Sequence, residues 1–180
     1  MRNNETKPTF YVFIDVEKSL NDINFFNELK RKGIKFFVDE TIDTSKIEIL
    51  NDFLEDLSKY YLIDLIITSK DSLYAESLLH AGDFKTENVR VTDYLFCDDD
   101  NKSRDITHYL TMSKKDKDVR KVHNFIIFDG DKVAYAEHLK NHLVSVNIKK
   151  NPLSKQNIAK VMDSIFEEAS EKEEVQNNVM

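Results

Sequence analysis

Phe10-Tyr11-Val12-Phe13-Ile14, closed by Asp15, is apolar at every position before the acid. A strand with one wet face alternates apolar and polar residues, whereas a strand covered on both faces reads as a continuous apolar run. The stretch therefore predicts a central strand of a parallel sheet held between helices, with a carboxylate at its end. Comparable runs follow. Leu62–Ile67 ends at Thr68-Ser69, residues 125–128 end at Asp129-Gly130-Asp131, and residues 89–96 and Leu143–Val146 read as further strands.

Between these runs the apolar residues recur at helical spacing. Ser45 and Glu48 form a capping box ahead of a face made by Ile47, Leu50, Phe53, Leu54 and Leu57. A second helix is expected over Ser72–Ala81, stopped by Gly82, and a third carries Ile106, Tyr109 and Leu110 after an acidic loop at Asp98-Asp99-Asp100. Another passes through Leu139. The last follows Pro152, with Ser154 as its cap and Leu153 and Ile158 as a hydrophobic staple, and buries Val161, Met162, Ile165 and Phe166. Phe25, Phe26 and Leu29 suggest a short helical or irregular piece, and residues 34–38 after Gly33 a small strand. Strand and helix thus alternate. The expected fold is α/β, a Rossmann-like three-layer sandwich around a mostly parallel sheet.

The chain has 180 residues, 41% hydrophobic and 33% charged, a balance that suits one globular domain. We place that domain at residues 9–169, with polar or acidic mobile tails at 1–8 and 170–180. No apolar run is long enough to span a bilayer, no basic-then-apolar leader opens the chain, and the lone Cys97 cannot form an internal disulfide, so the expected compartment is the cytoplasm. The net charge of −7 weighs against a broad grip on nucleic acid, which depends on Lys and Arg neutralising phosphates. The basic run from Lys114 to Lys121 is broken by Asp116 and Asp118 and reads as a solvated helix end or loop.

Ligands of open parallel sheets collect beyond the carboxyl ends of the strands. Three strand ends here carry polar groups: Asp15 with Glu17, Thr68 with Ser69, and Asp129 with Asp131. If the strands are neighbours, their carboxylates repel one another unless a cation or shared protons compensate. All-oxygen ligation of this kind suits Mg2+, which also binds substrate phosphate.

These stretches resemble the four motifs of the haloacid dehalogenase (HAD) superfamily. Phe13-Ile14-Asp15-Val16-Glu17-Lys18-Ser19-Leu20 resembles the first motif, Ile66-Ile67-Thr68-Ser69 the second, Lys102 before Ile106 the third, and Phe125-Ile126-Ile127-Phe128-Asp129-Gly130-Asp131 the fourth. The order fits over roughly residues 10–147. Within the superfamily the chain is also similar to the small HAD domain of Swiss Army Knife RNA repair proteins, through the acids after the fourth strand and the turn Asn151-Pro152-Leu153-Ser154.

The resemblance implies a phosphatase acting on a phosphomonoester. In it Asp15 is the nucleophile that forms an aspartyl-phosphate, and Glu17 is the general acid/base. Thr68, with Ser69 as alternate, binds phosphoryl oxygens, and Lys102 neutralises charge between nucleophile and phosphate. Asp15 and the Glu17 backbone carbonyl hold Mg2+, with Asp131 or Asp129 completing its shell. The chain departs from the pattern at three places: Glu17 stands for the usual second Asp, Lys18 for a Gly, where its ammonium can pair with Glu17 or a phosphate, and Tyr135 for a further acid if Gly130-Asp131 is the matching pair. There is room for a small flap between Leu20 and Ser45 but not for a large cap, so the substrate can be small or macromolecular.

Plainer readings stand beside these. Asp15 can be a helix cap, Thr68 and Ser69 likewise, Asp129-Gly130-Asp131 a tight turn, and Arg104 can take the role of Lys102. His138 and His142 lie four apart on an expected helix but read as surface residues, and Cys97 as a half-buried apolar one. Two further functions compete with the phosphatase: a catalytically degenerate HAD fold that binds a phosphorylated ligand or a protein, and a metal-dependent nuclease of another α/β fold.

Overall fold

A computed structural model of the chain describes residues 7–20, 28, 31–33, 44–70, 72–85, 87, 89–95, 98–114, 124–130, 132–147 and 150–177. Their elements, in chain order, are β1 (Thr9–Ile14), α1 (Val16–Leu20), α2 (Thr44–Ser58), β2 (Leu62–Ile67), α3 (Ser72–Ala81), β3 (Val89–Tyr94), α4 (Asp99–Lys114), β4 (Phe125–Gly130), α5 (Glu137–Lys140), β5 (Leu143–Val146) and α6 (Lys155–Asn177). The strands form one parallel sheet in the order β3-β2-β1-β4-β5. This is the expected α/β sandwich, with β1 and its apolar run at the centre.

Two-residue alternation along β1 divides the core. Phe10, Val12 and Ile14 pack with Ile47, Leu50, Leu54 and Leu57 of α2, with Ala75, Leu78 and Leu79 of α3, and with Ile158 and Ile165 of α6. Tyr11 and Phe13 face the other way, onto Ile106 and Leu110 of α4 and Leu139 of α5. Each face of the sheet is thus covered, and this is why residues 10–14 of β1 and 125–128 of β4 form unbroken apolar runs.

Several local expectations meet a finer structure. Ser154 caps α6, its Oγ accepting from the Asn157 N–H at 3.2 Å, and Leu153 and Ile158 are both buried beside it. That helix runs on to Asn177, through much of the stretch read as a C-terminal tail, in keeping with the helix propensity of its Glu, Lys and Gln residues. At the end of α3 the left-handed residue is Asp83 (φ 58°) and not Gly82. Gly82 is required for a different reason, since a Cβ there would lie 2.7 Å from Ile47 Cγ1. Residues 34–38, Phe25, Phe26, Leu29, Phe96, Cys97 and 115–121 lie outside the described residues, as does nearly all of the segment assigned to a flap.

Candidate active site

Parallel register sets the polar strand ends side by side. Ile14 pairs with Ile67 on one side and with Phe128 on the other, so Asp15, Thr68 and Asp129 follow at the same level of three adjacent strands. Alternation also fixes their face: Phe13, Ile66 and Ile127 belong to the α4 side of the core, and the residues two further on are Asp15, Thr68 and Asp129.

Lys102, in the first turns of α4, meets them there. Its Nζ donates to Asp15 Oδ2 at 2.6 Å and lies 2.9 Å from Asp129 Oδ2. Lys102, Thr68 and Asp129 are each 0% exposed and Asp15 is 3% exposed, so this is a buried ion cluster. Burial works against the Lys102 ammonium, yet the Asp129 and Asp15 carboxylates outweigh it and hold its proton more tightly than in an ordinary lysine. Burial pushes the Asp129 carboxyl up; Lys102 opposes this, Asp15 adds to it, and the net shift is upward. The two shifts differ in origin: the carboxylates raise Lys102 against its burial, whereas burial itself raises Asp129. The Tyr135 hydroxyl donates to Asp129 Oδ2 at 2.6 Å, and the Gly130 N–H to Asp129 Oδ1 at 2.6 Å.

The end of β1 is also a helix start. Asp15 caps α1: its Oδ1 accepts from the Lys18 N–H at 3.1 Å and its carbonyl from the Ser19 N–H at 3.0 Å. Ser69 Oγ accepts from the Val16 N–H at 2.9 Å, joining the end of β2 to the same turn. Asp15 is therefore both a cap, through Oδ1, and a cluster member, through Oδ2. Thr68 donates its backbone N–H to the Ile14 carbonyl at 2.8 Å, while its Oγ1 is buried and has no hydrogen-bond partner among the described residues. A buried hydroxyl left unpaired is costly and calls for a ligand or water to satisfy it.

Lys18 reaches the cluster from α1. Its Nζ lies 3.6 Å from Asp15 Oδ2 and 3.8 Å from Asp129 Oδ1, and it is paired with Asp99 Oδ1. That hydrogen bond from Lys18, more than any other influence, lowers the Asp99 carboxyl below its usual range. Glu17 is half-buried on α1, one residue before Lys18. Asp131 lies outside the described residues.

Of the candidates named from sequence, Asp15, Thr68, Lys102 and Asp129 share one buried space, Lys18 enters it, and Ser69 supports it from below. Arg104 does not take the place of Lys102; it is exposed and pairs with Asp105 at 3.1 Å. Asp129 belongs to β4 and pairs with Ser145 across the ladder, so the tight-turn reading fails there. Asp99 and Asp100 open α4 instead of forming a loop, as acids do where a helix N-terminus is positive. Asp99 was missed as a partner of Lys18. The signal available was its position three residues before Lys102, one helical turn away. His142 is not a surface residue: it precedes β5, stacks on Phe125 at 3.8 Å and bonds the Phe125 carbonyl at 2.8 Å through Nδ1. His138 meets Thr107 Oγ1 at 3.0 Å, so no single helix face presents the two histidines.

No family model, no curated protein and no solved structure matches this chain. Among the described residues no helix is long and apolar enough to cross a membrane. Nor are three acidic, His or Cys side chains among them grouped so as to hold a metal ion. The two carboxylates that do converge, Asp15 and Asp129, form an all-oxygen donor pair already gathered around a cation. Mg2+ is commonly held by one or two carboxylates, with waters and substrate phosphate completing its shell. The residues fit that ion.

Proposed function

We propose that the cluster is the site of a HAD-like, Mg2+-dependent phosphatase that hydrolyses a phosphomonoester through an aspartyl-phosphate on Asp15. One observation carries the reading: a buried ammonium, Lys102, joins the Asp15 and Asp129 carboxylates beside the unpaired buried hydroxyl of Thr68.

In this reading Asp15 attacks phosphorus, forming an O–P bond as the ester P–O bond breaks. The departing alkoxide takes a proton from Glu17. Water then attacks the aspartyl-phosphate, giving its proton to Glu17, and inorganic phosphate leaves with the Asp15 carboxylate restored. The cap bond from the Lys18 N–H and the ion pair with Lys102 fix both oxygens of Asp15, so little reorientation precedes attack. Thr68 Oγ1 would donate to a phosphoryl oxygen, and Lys102 would offset charge as the phosphoryl group arrives. Mg2+, held by Asp15 and Asp129 with the Glu17 backbone carbonyl and Asp131 as the further ligands that the sequence pattern implies, would neutralise phosphoryl oxygens when bound.

A second reading, phosphate binding without turnover, is favoured by Lys18, whose ammonium already meets both carboxylates where the resemblance leads one to expect Gly. Aryl phosphate hydrolysis with and without Mg2+ separates the two. Metal-dependent turnover in the native chain, reduced on the order of 10³-fold or more in Asp15→Asn, is the expected result. Inorganic phosphate bound without turnover would favour the second reading, and neither binding nor turnover would sink both. A 3′-phosphorylated oligonucleotide in the same panel asks whether a macromolecular end is accepted.

A further inference from the structure

Lys18 stands three residues after Asp15, and its side chain is seated as well as paired. Its methylenes run over Gly130, where a Cβ would lie 3.2 Å from Lys18 Cδ and 3.4 Å from Lys18 Cβ. A side chain at position 130 would press on this stem; glycine leaves it room. Asp99 holds the ammonium from the far side. Three carboxylates, of Asp15, Asp99 and Asp129, thereby face two ammonium groups, of Lys18 and Lys102. Most of the charge that a divalent ion would neutralise is already neutralised by the chain itself.

We propose that Lys18 is a tethered counter-cation that competes with Mg2+ for Asp15 and Asp129, so that the metal enters only as the Lys18 ammonium leaves. This rests on the reading of those two carboxylates as metal ligands, and not on turnover. A divalent ion on the same oxygen atoms would stand beside the ammonium with like charge, in a place largely shut off from solvent screening. Lys102 is not the group that yields. It is fully buried, with contacts of 2.6 and 2.9 Å. The Lys18 side chain is 32% exposed, its contacts to Asp15 and Asp129 are 3.6 and 3.8 Å, and its partner Asp99 is 61% exposed, so it has a path to solvent. Metal affinity is then reduced by the fraction of molecules in which Lys18 has withdrawn.

Calorimetric titration with Mg2+ alone tests this on the full chain. Lys18→Gln and Lys18→Ala are expected to bind Mg2+ at least about tenfold more tightly than the native protein, and Lys18→Arg about as the native does. Lys70→Gln controls for net charge, because Lys70 is an exposed lysine paired with Asp98 at 3.2 Å; it should change affinity less than about twofold. Competition is overturned if Lys18→Gln tightens binding no more than Lys70→Gln, if Lys18→Arg tightens it equally, or if no variant binds Mg2+. Aryl phosphate turnover is followed in parallel. Tighter metal without turnover leaves competition standing and removes the hydrolase, whereas metal-dependent turnover with unchanged affinity does the reverse.

Discussion

A lysine with no solvent exposure is tolerated where carboxylates repay its lost hydration, and Lys102 has two. Lys102→Met would leave Asp15 and Asp129 with the more distant Lys18 as their one cation among the described residues, and we expect a loss of about 3–5 kcal/mol in urea unfolding at neutral pH. The folded protein also holds the Lys102 proton more tightly than the unfolded chain does. That linkage is therefore fully present below the ordinary lysine value of 10.5 and is lost as pH climbs past it through the folded value. Tyr11 and Tyr94, raised first of all by burial, weaken the fold over the same alkaline range, so the informative quantity is native minus variant. Unfolding measured from neutral to about pH 12 should show the native chain losing more stability than Lys102→Met. Parallel curves would contradict the assignment. Lys102 was legible as a candidate by its place before Ile106, but its burial was not, since a lysine in a sequence reads first as surface.

At the scale of elements, α4 sets the position of the ammonium. Ile106 and Leu110, both fully buried against Phe13 and Ile127, follow Lys102 at successive steps of four residues and so share its face. Ile106→Ala should cost about 2–4 kcal/mol by leaving a cavity under α4. It should also loosen Lys102, visible as a larger fall in stability for Ile106→Ala than for an exposed alanine change such as Met112→Ala. Equal effects would show that α4 is anchored elsewhere. The helical face of α4 was readable from its spacing. The extent of β4 was not, because Asp129 and Gly130 are poor strand formers and only the ladder to β5 keeps them extended. The same limit hid His142, whose stacking on Phe125 depends on two segments meeting in space.

At the scale of the molecule, continuous apolar runs marked β1 and β4 as interior strands, while Arg90 and Thr92 in β3 and the alternating burial of β5 agree with edges. Which strand lies beside β1 was not readable, since periodicity records how many faces are covered and not by whom. The answer places β4 there, opposite β2, and brings Asp129 to Asp15. It also has a consequence for biosynthesis. Until the ribosome has passed Phe125, the side of β1 from Tyr11 to Ile14 has no neighbour, and its free N–H and C=O groups lie along the most apolar segment of the nascent polypeptide. A fragment stopped at residue 114 should sediment as oligomers where the intact chain does not; a soluble monomeric fragment would show that something else shelters that edge. Synthesis of this protein thus passes through an interval in which its future centre is its stickiest rim, and holdase chaperones would have their work there.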